Sequence, residues 1–248
     1  MSATAVLEDR SWREELHLVA RARVFFAHRS VGAGLVDGIA RLSGDAMRVA
    51  EVTGELPEGV FGHATLGPNG DPVAKLRDLE RMLAGGIGRA ARVVLFKLCY
   101  ADFDARTDAT RVFHAYERTI ESVRAAYPRT AFMHMTVPLA AVERAVSAKS
   151  ALRSLLGRPP AVLEENGRRE EFNDLLRRAY GHREPMFDLA LAESTTPSGA
   201  RELHELHGRP IAALAPQYTD DGGHLNAVAN LAIARQLIAA IAPLAEAV

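Results

Sequence analysis

Short apolar runs alternate with amphipathic helical segments along this chain, and that alternation restricts its fold more than any other feature. Val24 to Phe26, Met47 to Val52, Val93 to Leu98, Thr130 to Val137 and Met186 to Leu189 read as strands. Between them, Val31, Leu35, Ile39 and Leu42 recur at helical spacing, as do Val73, Leu76, Leu79 and Met82, and then Val112, Phe113, Tyr116, Ile120 and Val123. Asp71 followed by Pro72 is a helix start, because the carboxylate can cap the free N–H groups and proline loses nothing at the first helical position. Thr53 to Gly70, rich in Gly and Pro and without period, reads as a loop. Leu139 to Gly181 reads as mostly helical. The last helix, Leu225 to Leu244, is so rich in Ala, Leu and Ile that it must be largely covered. Strands alternating with helices imply right-handed crossovers and one parallel sheet covered on both faces. The expectation is an α/β protein, a three-layer α/β/α sandwich of about five strands. With no repeat, low-complexity tract or linker, residues 1–248 read as a single domain.

Composition narrows the partners. Net charge is −1, with Lys and Arg interspersed among Asp and Glu, so neither nucleic acid nor an anionic membrane surface is an expected partner. The lone Cys99 rules out an internal disulfide and fits a reducing compartment. Glu8 and Asp9 stand where a signal peptide needs an apolar core, and no apolar run approaches membrane length, so a cytoplasmic location is expected.

Two stretches carry chemistry. The first strand runs into the polar corner His28, Arg29, Ser30, and a helix begins at Val31. A serine between a strand's carboxyl end and the first turn of a helix stands at the mouth of the sheet, beside backbone N–H groups free to face developing negative charge. The competing role for Ser30 is an ordinary helix N-cap. The second stretch is Tyr218 to Asn226, in which Asp221 and His224 flank Gly222 and Gly223. That spacing lets a carboxylate fold back onto an imidazole Nδ1, leaving Nε2 to take a proton from a hydroxyl; the competing reading is a solvated turn.

Together, the strand–Ser30–helix corner near the start and the Asp221–His224 pair just before the last helix resemble the SGNH/GDSL hydrolase superfamily. The resemblance covers most of the chain and implies a flavodoxin-like sheet, Ser30 as nucleophile, His224 as base and Asp221 as its orienter. Thr65 to Pro72 matches the family's second block, which gives Gly67 the role of an oxyanion-hole glycine beside the Ser30 N–H. The first block departs from Gly-Asp-Ser, reading His28, Arg29, Ser30. The third block, usually Gly-x-Asn-Asp, reads Cys99, Tyr100, Ala101, Asp102, so the oxyanion-hole asparagine is missing at Ala101, and Asn69 is the substitute expected. A divergent branch with His-x-Ser-Val-Gly and Asp-Gly-Gly-His-Leu-Asn signatures describes the chain better than a typical member.

The expected activity is hydrolysis of a small-molecule ester or O-acyl group through an acyl-enzyme, with no cofactor and no metal. The alternatives are an acyltransferase using the same acyl-enzyme and a non-catalytic, ligand-binding member. Other residues weighed are His28 and Arg29 beside the nucleophile, buried Cys99, and His204 with His207, which lack a third ligand at metal spacing. Asp188 stands where an α/β-hydrolase carries its triad acid, but that fold needs more strands before its nucleophile.

Overall fold

The computed structural model describes residues 11–142 and 159–246; the expected helical stretch from Leu139 to Gly181 lies partly outside them, at 143–158. The chain runs α1 (Trp12–Arg21), β1 (Val24–His28), α2 (Val31–Ser43), β2 (Arg48–Glu51), β3 (Val60–Thr65), α3 (Pro72–Met82) and β4 (Val93–Phe96). It continues through α4 (Ala109–Ala126), β5 (Ala131–Met135), α5 (Ala161–Tyr180), β6 (Met186–Phe187) and α6 (Leu189–Ser194). An antiparallel hairpin of β7 (Leu203–Leu206) and β8 (Arg209–Ala212) precedes the last helix, α7 (Ala227–Glu246).

One parallel sheet organises the molecule, in the order β2-β3-β1-β4-β5-β6. Every residue of β1 is buried, and its alternating side chains feed two cores. Val24 and Phe26 face α1, α2 and α7, through Leu16, Val19, Leu35, Ile39, Ile233 and Leu237. Phe25 and Ala27 face α3, α4 and α5, through Leu76, Leu79, Phe113, Tyr116, Phe172 and Leu176. Two apolar cores on opposite faces of one sheet make the three-layer α/β/α sandwich.

The sheet has six strands because part of the segment expected as a loop, Thr53 to Gly70, is not a loop. Val60–Thr65 is a strand in register between β1 and β2. Gly62 hides it in the sequence, yet the packing needs glycine there: a Cβ would lie 2.4 Å from Leu56 Cδ1 and 3.0 Å from Val52 Cγ2. The strand read from Met47 to Val52 is the exposed edge, β2. The β7–β8 hairpin was likewise not expected. Its turn places His207 and Gly208 at φ 49° and 77°, torsions that two-residue hairpin loops demand.

Helix starts follow the sequence signals. Asp71 accepts from the Ala74 N–H at 2.8 Å with Pro72 at the first position, and Asp108 accepts from Arg111 at 2.9 Å. Helix α7 is long and apolar enough to cross a membrane by composition, contrary to the expectation that no run reaches that length. Its residues Ala229, Ile233, Ala234, Leu237, Ile238 and Ile241 are core residues against α1 and α2. Close approach of α7 to α2 depends on glycine: a Cβ at Gly38 would lie 2.7 Å from the Asn230 carbonyl oxygen and 2.9 Å from Ala234 Cβ.

Candidate active site

The chain leaves β1 towards β2 and β3 on one side and returns across it to β4 on the other, so the carboxyl ends of β1, β3 and β4 border the crevice that such sheets use for ligands. Ser30 follows β1 there. Its backbone lies at φ 54°, ψ −112°, and its hydroxyl makes no capping bond to α2. The ordinary N-cap role therefore does not apply. A positive φ at a non-glycine residue costs on the order of 1–3 kcal/mol and persists only where neighbours over-determine it. They do so here. The Leu66 N–H donates to the His28 carbonyl at 2.8 Å, Arg29 Nη1 to the Leu66 carbonyl at 2.9 Å, and buried Lys97 Nζ to the Arg29 carbonyl at 3.0 Å. The Ser30 N–H, at the head of α2, donates to no group among the described residues.

The remote end of the chain meets this corner. Ser30 Oγ lies 2.6 Å from His224 Nε2, and His224 Nδ1 lies 2.7 Å from Asp221 Oδ2. The second carboxylate oxygen accepts the backbone N–H groups of His224 at 2.7 Å and Gly223 at 2.9 Å. Those two amide bonds, before the imidazole itself, hold the Asp221 carboxyl well below the usual carboxylate range. The loop is built for this fold-back. Gly222 sits at φ 82°, its N–H donates to Thr219 Oγ1 at 2.9 Å, and its carbonyl accepts from Ala141. Asn226 then caps α7 through the Ala229 N–H at 3.0 Å.

The residues expected to complete an oxyanion hole fare differently. The Gly67 N–H donates to Asp78 Oδ2 at 2.7 Å, so it is committed to a carboxylate and does not face Ser30 as a free donor; this corrects the role expected of Gly67. Asn69 is exposed, its side-chain oxygen accepts from Lys75 Nζ at 3.0 Å, and no hydrogen bond links it to Ser30. The residue that does reach the serine is Tyr100, one position before Ala101. Its hydroxyl lies near the Ser30 side chain and 2.9 Å from where a Cβ on Gly223 would stand, and its ring meets the His224 imidazole edge-on with centroids 5.8 Å apart. Burial raises the phenol above its ordinary value of 10.

Tyr100 is held from behind. Arg169 Nε donates to its carbonyl at 3.0 Å, and the guanidinium carbon lies 5.5 Å from its ring centroid. Its turn is pinned by Asp102, whose carboxylate accepts Lys75 Nζ at 2.7 and 2.8 Å, the Cys99 N–H at 2.7 Å and the Gly70 N–H at 3.0 Å. Both charged side chains are fully buried. Cys99 is buried beside this turn.

The remaining candidates are structural. His28 is 2% exposed and bonded to His63 Nδ1 at 3.1 Å; burial drives its imidazole down to about 3, so it stays neutral. Asp188 caps α6 through the Leu191 N–H at 3.0 Å and pairs with Arg177 at 2.7 Å. His204 pairs with Glu202 at 2.8 Å, and among the described residues no group of three or more His, Cys, Asp or Glu side chains is placed to hold a metal ion.

No protein-family model matches the sequence, and no curated protein matches it significantly. Among solved structures, a candidate platelet activating factor from Streptococcus pneumonia is similar over 96% of this chain and 98% of its own, with TM-score 0.54 and 16% identity. The periplasmic domain of a lipopolysaccharide acetyltransferase from Salmonella ser. Paratyphi A (TM-score 0.43, 14% identity, 94% of this chain and 86% of that one) is more distant. So is a salicylyl-acyltransferase from a tetracycline biosynthetic pathway (TM-score 0.41, 12% identity, 87% of this chain and 52% of that one). The first of these likenesses, at such identity, is one of fold.

Proposed function

We propose that the chain is a serine hydrolase of ester or O-acyl bonds and a divergent member of the SGNH/GDSL superfamily. The observation that carries this reading is the unbroken hydrogen-bonded line from Asp221 through His224 to Ser30, drawn from opposite ends of the sequence to the carboxyl edge of the sheet. In this reading Ser30 Oγ bonds to the acyl carbon while its proton passes to His224 Nε2, and the carbonyl electron pair moves onto oxygen. The resulting oxyanion accepts a hydrogen bond from the Ser30 N–H. Collapse expels the alcohol, which takes the proton back from His224, and water repeats the cycle on the acyl-enzyme. Asp221 stays ionised throughout and holds the imidazole tautomer. The substrate is a small-molecule ester, and none of these steps calls on a cofactor.

A fluorophosphonate probe with p-nitrophenyl acetate tests the reading. Wild type should be labelled and should release p-nitrophenol, while Ser30→Ala should do neither; equal labelling of both proteins would dismiss it. Product analysis with a competing alcohol separates hydrolysis from acyl transfer by the same intermediate.

A further inference from the structure

We propose that the Tyr100 hydroxyl donates the second hydrogen bond to the tetrahedral oxyanion, in place of the amide side chain that Ala101 lacks. The inference rests on the ester-hydrolase reading above and adds a residue to it.

The need is plain from the geometry. Among the groups expected to serve the oxyanion, the Ser30 N–H has no partner among the described residues, Gly67 gives its N–H to Asp78, Ala101 has no donor, and Asn69 is an exposed side chain held by Lys75 with no hydrogen bond to Ser30. Tyr100 brings an O–H close to the serine, with its ring beside the His224 imidazole. The phenol lies so close to the base-bearing loop that a Cβ at Gly223 would sit 2.9 Å from its oxygen, which gives the second glycine between Asp221 and His224 a function. Its ring borders His224, its backbone is anchored by Arg169, and its turn is clamped by the buried Lys75–Asp102 pair. Such a donor is fixed before the reaction starts, and a donor that need not reorganise is what oxyanion stabilisation requires.

During attack the acyl carbon gains the bond to Ser30 Oγ, the carbonyl π pair moves to oxygen, and the serine proton goes to His224. Tyr100 keeps its proton and shares it with the oxyanion as a hydrogen bond. On collapse that bond is released.

Tyr100→Phe removes only the hydroxyl and keeps the ring against His224 and Arg169. The expected result with p-nitrophenyl acetate is a loss of about 10²–10³ in kcat, the cost of deleting one oxyanion donor. KM should stay within about threefold, the signature of an interaction made only in the transition state. A trifluoromethyl ketone, which forms a tetrahedral adduct on serine, should bind more weakly by the same factor as kcat/KM falls. Asn69→Ala should leave kcat unchanged. A Tyr100→Phe enzyme with wild-type kcat and undiminished ketone affinity overturns the proposal, as does a kcat loss that follows Asn69→Ala instead. If wild type hydrolyses no ester and its Ser30 takes no fluorophosphonate, the hydrolase reading itself fails and Tyr100 with it. That result is distinct from an active wild type matched by an active Tyr100→Phe.

Discussion

The ammonium of Lys97 donates to the carbonyl oxygen of Arg29 at 3.0 Å, and a trans peptide points its N–H opposite its carbonyl, so this bond aims the Ser30 N–H. Lys97 is 1% exposed, and burial lowers its pKa. Lys97→Met keeps the stem and removes the donor. Steady-state kinetics should then show kcat reduced by about 10-fold to 10²-fold with KM little changed, a fraction of what losing an oxyanion donor outright costs. Retained kcat would show that the strand ends alone orient the peptide.

Asp221 binds the imidazole with one oxygen and the loop amides with the other. Asp221→Asn keeps the shape but offers the imidazole an N–H or a neutral oxygen, so kcat should fall by about 10²–10⁴ as the wrong tautomer is favoured. Because the two amides hold the Asp221 carboxyl below the usual range, this carboxylate should not give rise to the acid limb of a wild-type pH–kcat/KM profile.

His28 contributes to acid sensitivity. Its imidazole falls from 6.5 to about 3 on burial, so between those values the unfolded chain binds a proton that the folded chain refuses. Stability is therefore lost as pH falls below 6.5, by up to about 1.4 kcal/mol per pH unit. Denaturant melts should show the gap between wild type and His28→Gln narrowing steadily from pH 7 to pH 4.

Glu193 works in the opposite direction. It is 1% exposed, one oxygen accepts the Leu139 N–H, and the other has no partner among the described residues. Burial raises its carboxyl from 4.5 to about 8 against the attraction of Lys97 and Arg169. Between those values the folded state keeps a proton the unfolded state has lost, so stability falls as pH rises. Glu193→Gln should gain on wild type between pH 5 and pH 8 in thermal melts.

Gly38→Ala sets two effects against each other. Alanine improves helix propensity by up to about 1 kcal/mol. A Cβ here meets the α7 backbone and Ala234, and overpacking of that kind costs about 1–3 kcal/mol. The clash should win, and a chemical melt should show a net loss.

The parts that could be read from sequence were those with local chemistry. Ser30 sits at a strand-to-helix corner, and Asp221 and His224 sit in a turn whose glycines announce it. Val60–Thr65 was hidden because Gly62 and His63 interrupt its apolar run, and what makes it a strand is pairing with β1 and β2, which no local pattern records. Gly67 was misassigned because its N–H partner, Asp78, is a tertiary contact eleven positions away. Ala101 is the position at which the sequence departs from the family's third block, while the side chain that lies near the serine belongs to its neighbour Tyr100, a proximity set by the fold of the Cys99–Asp102 turn.

His224 and Asp221 keep 49% and 57% of their side-chain surface open to water. In bulk-like dielectric the attraction between such a pair is feeble, so alignment of the ring comes from the rigid amide bracket around the carboxylate. Turnover of a small ester should accordingly be almost indifferent to added sodium chloride. A bulky substrate would roof the dyad with its own atoms, displace the solvent, and be rewarded with faster acylation than a short acetate receives.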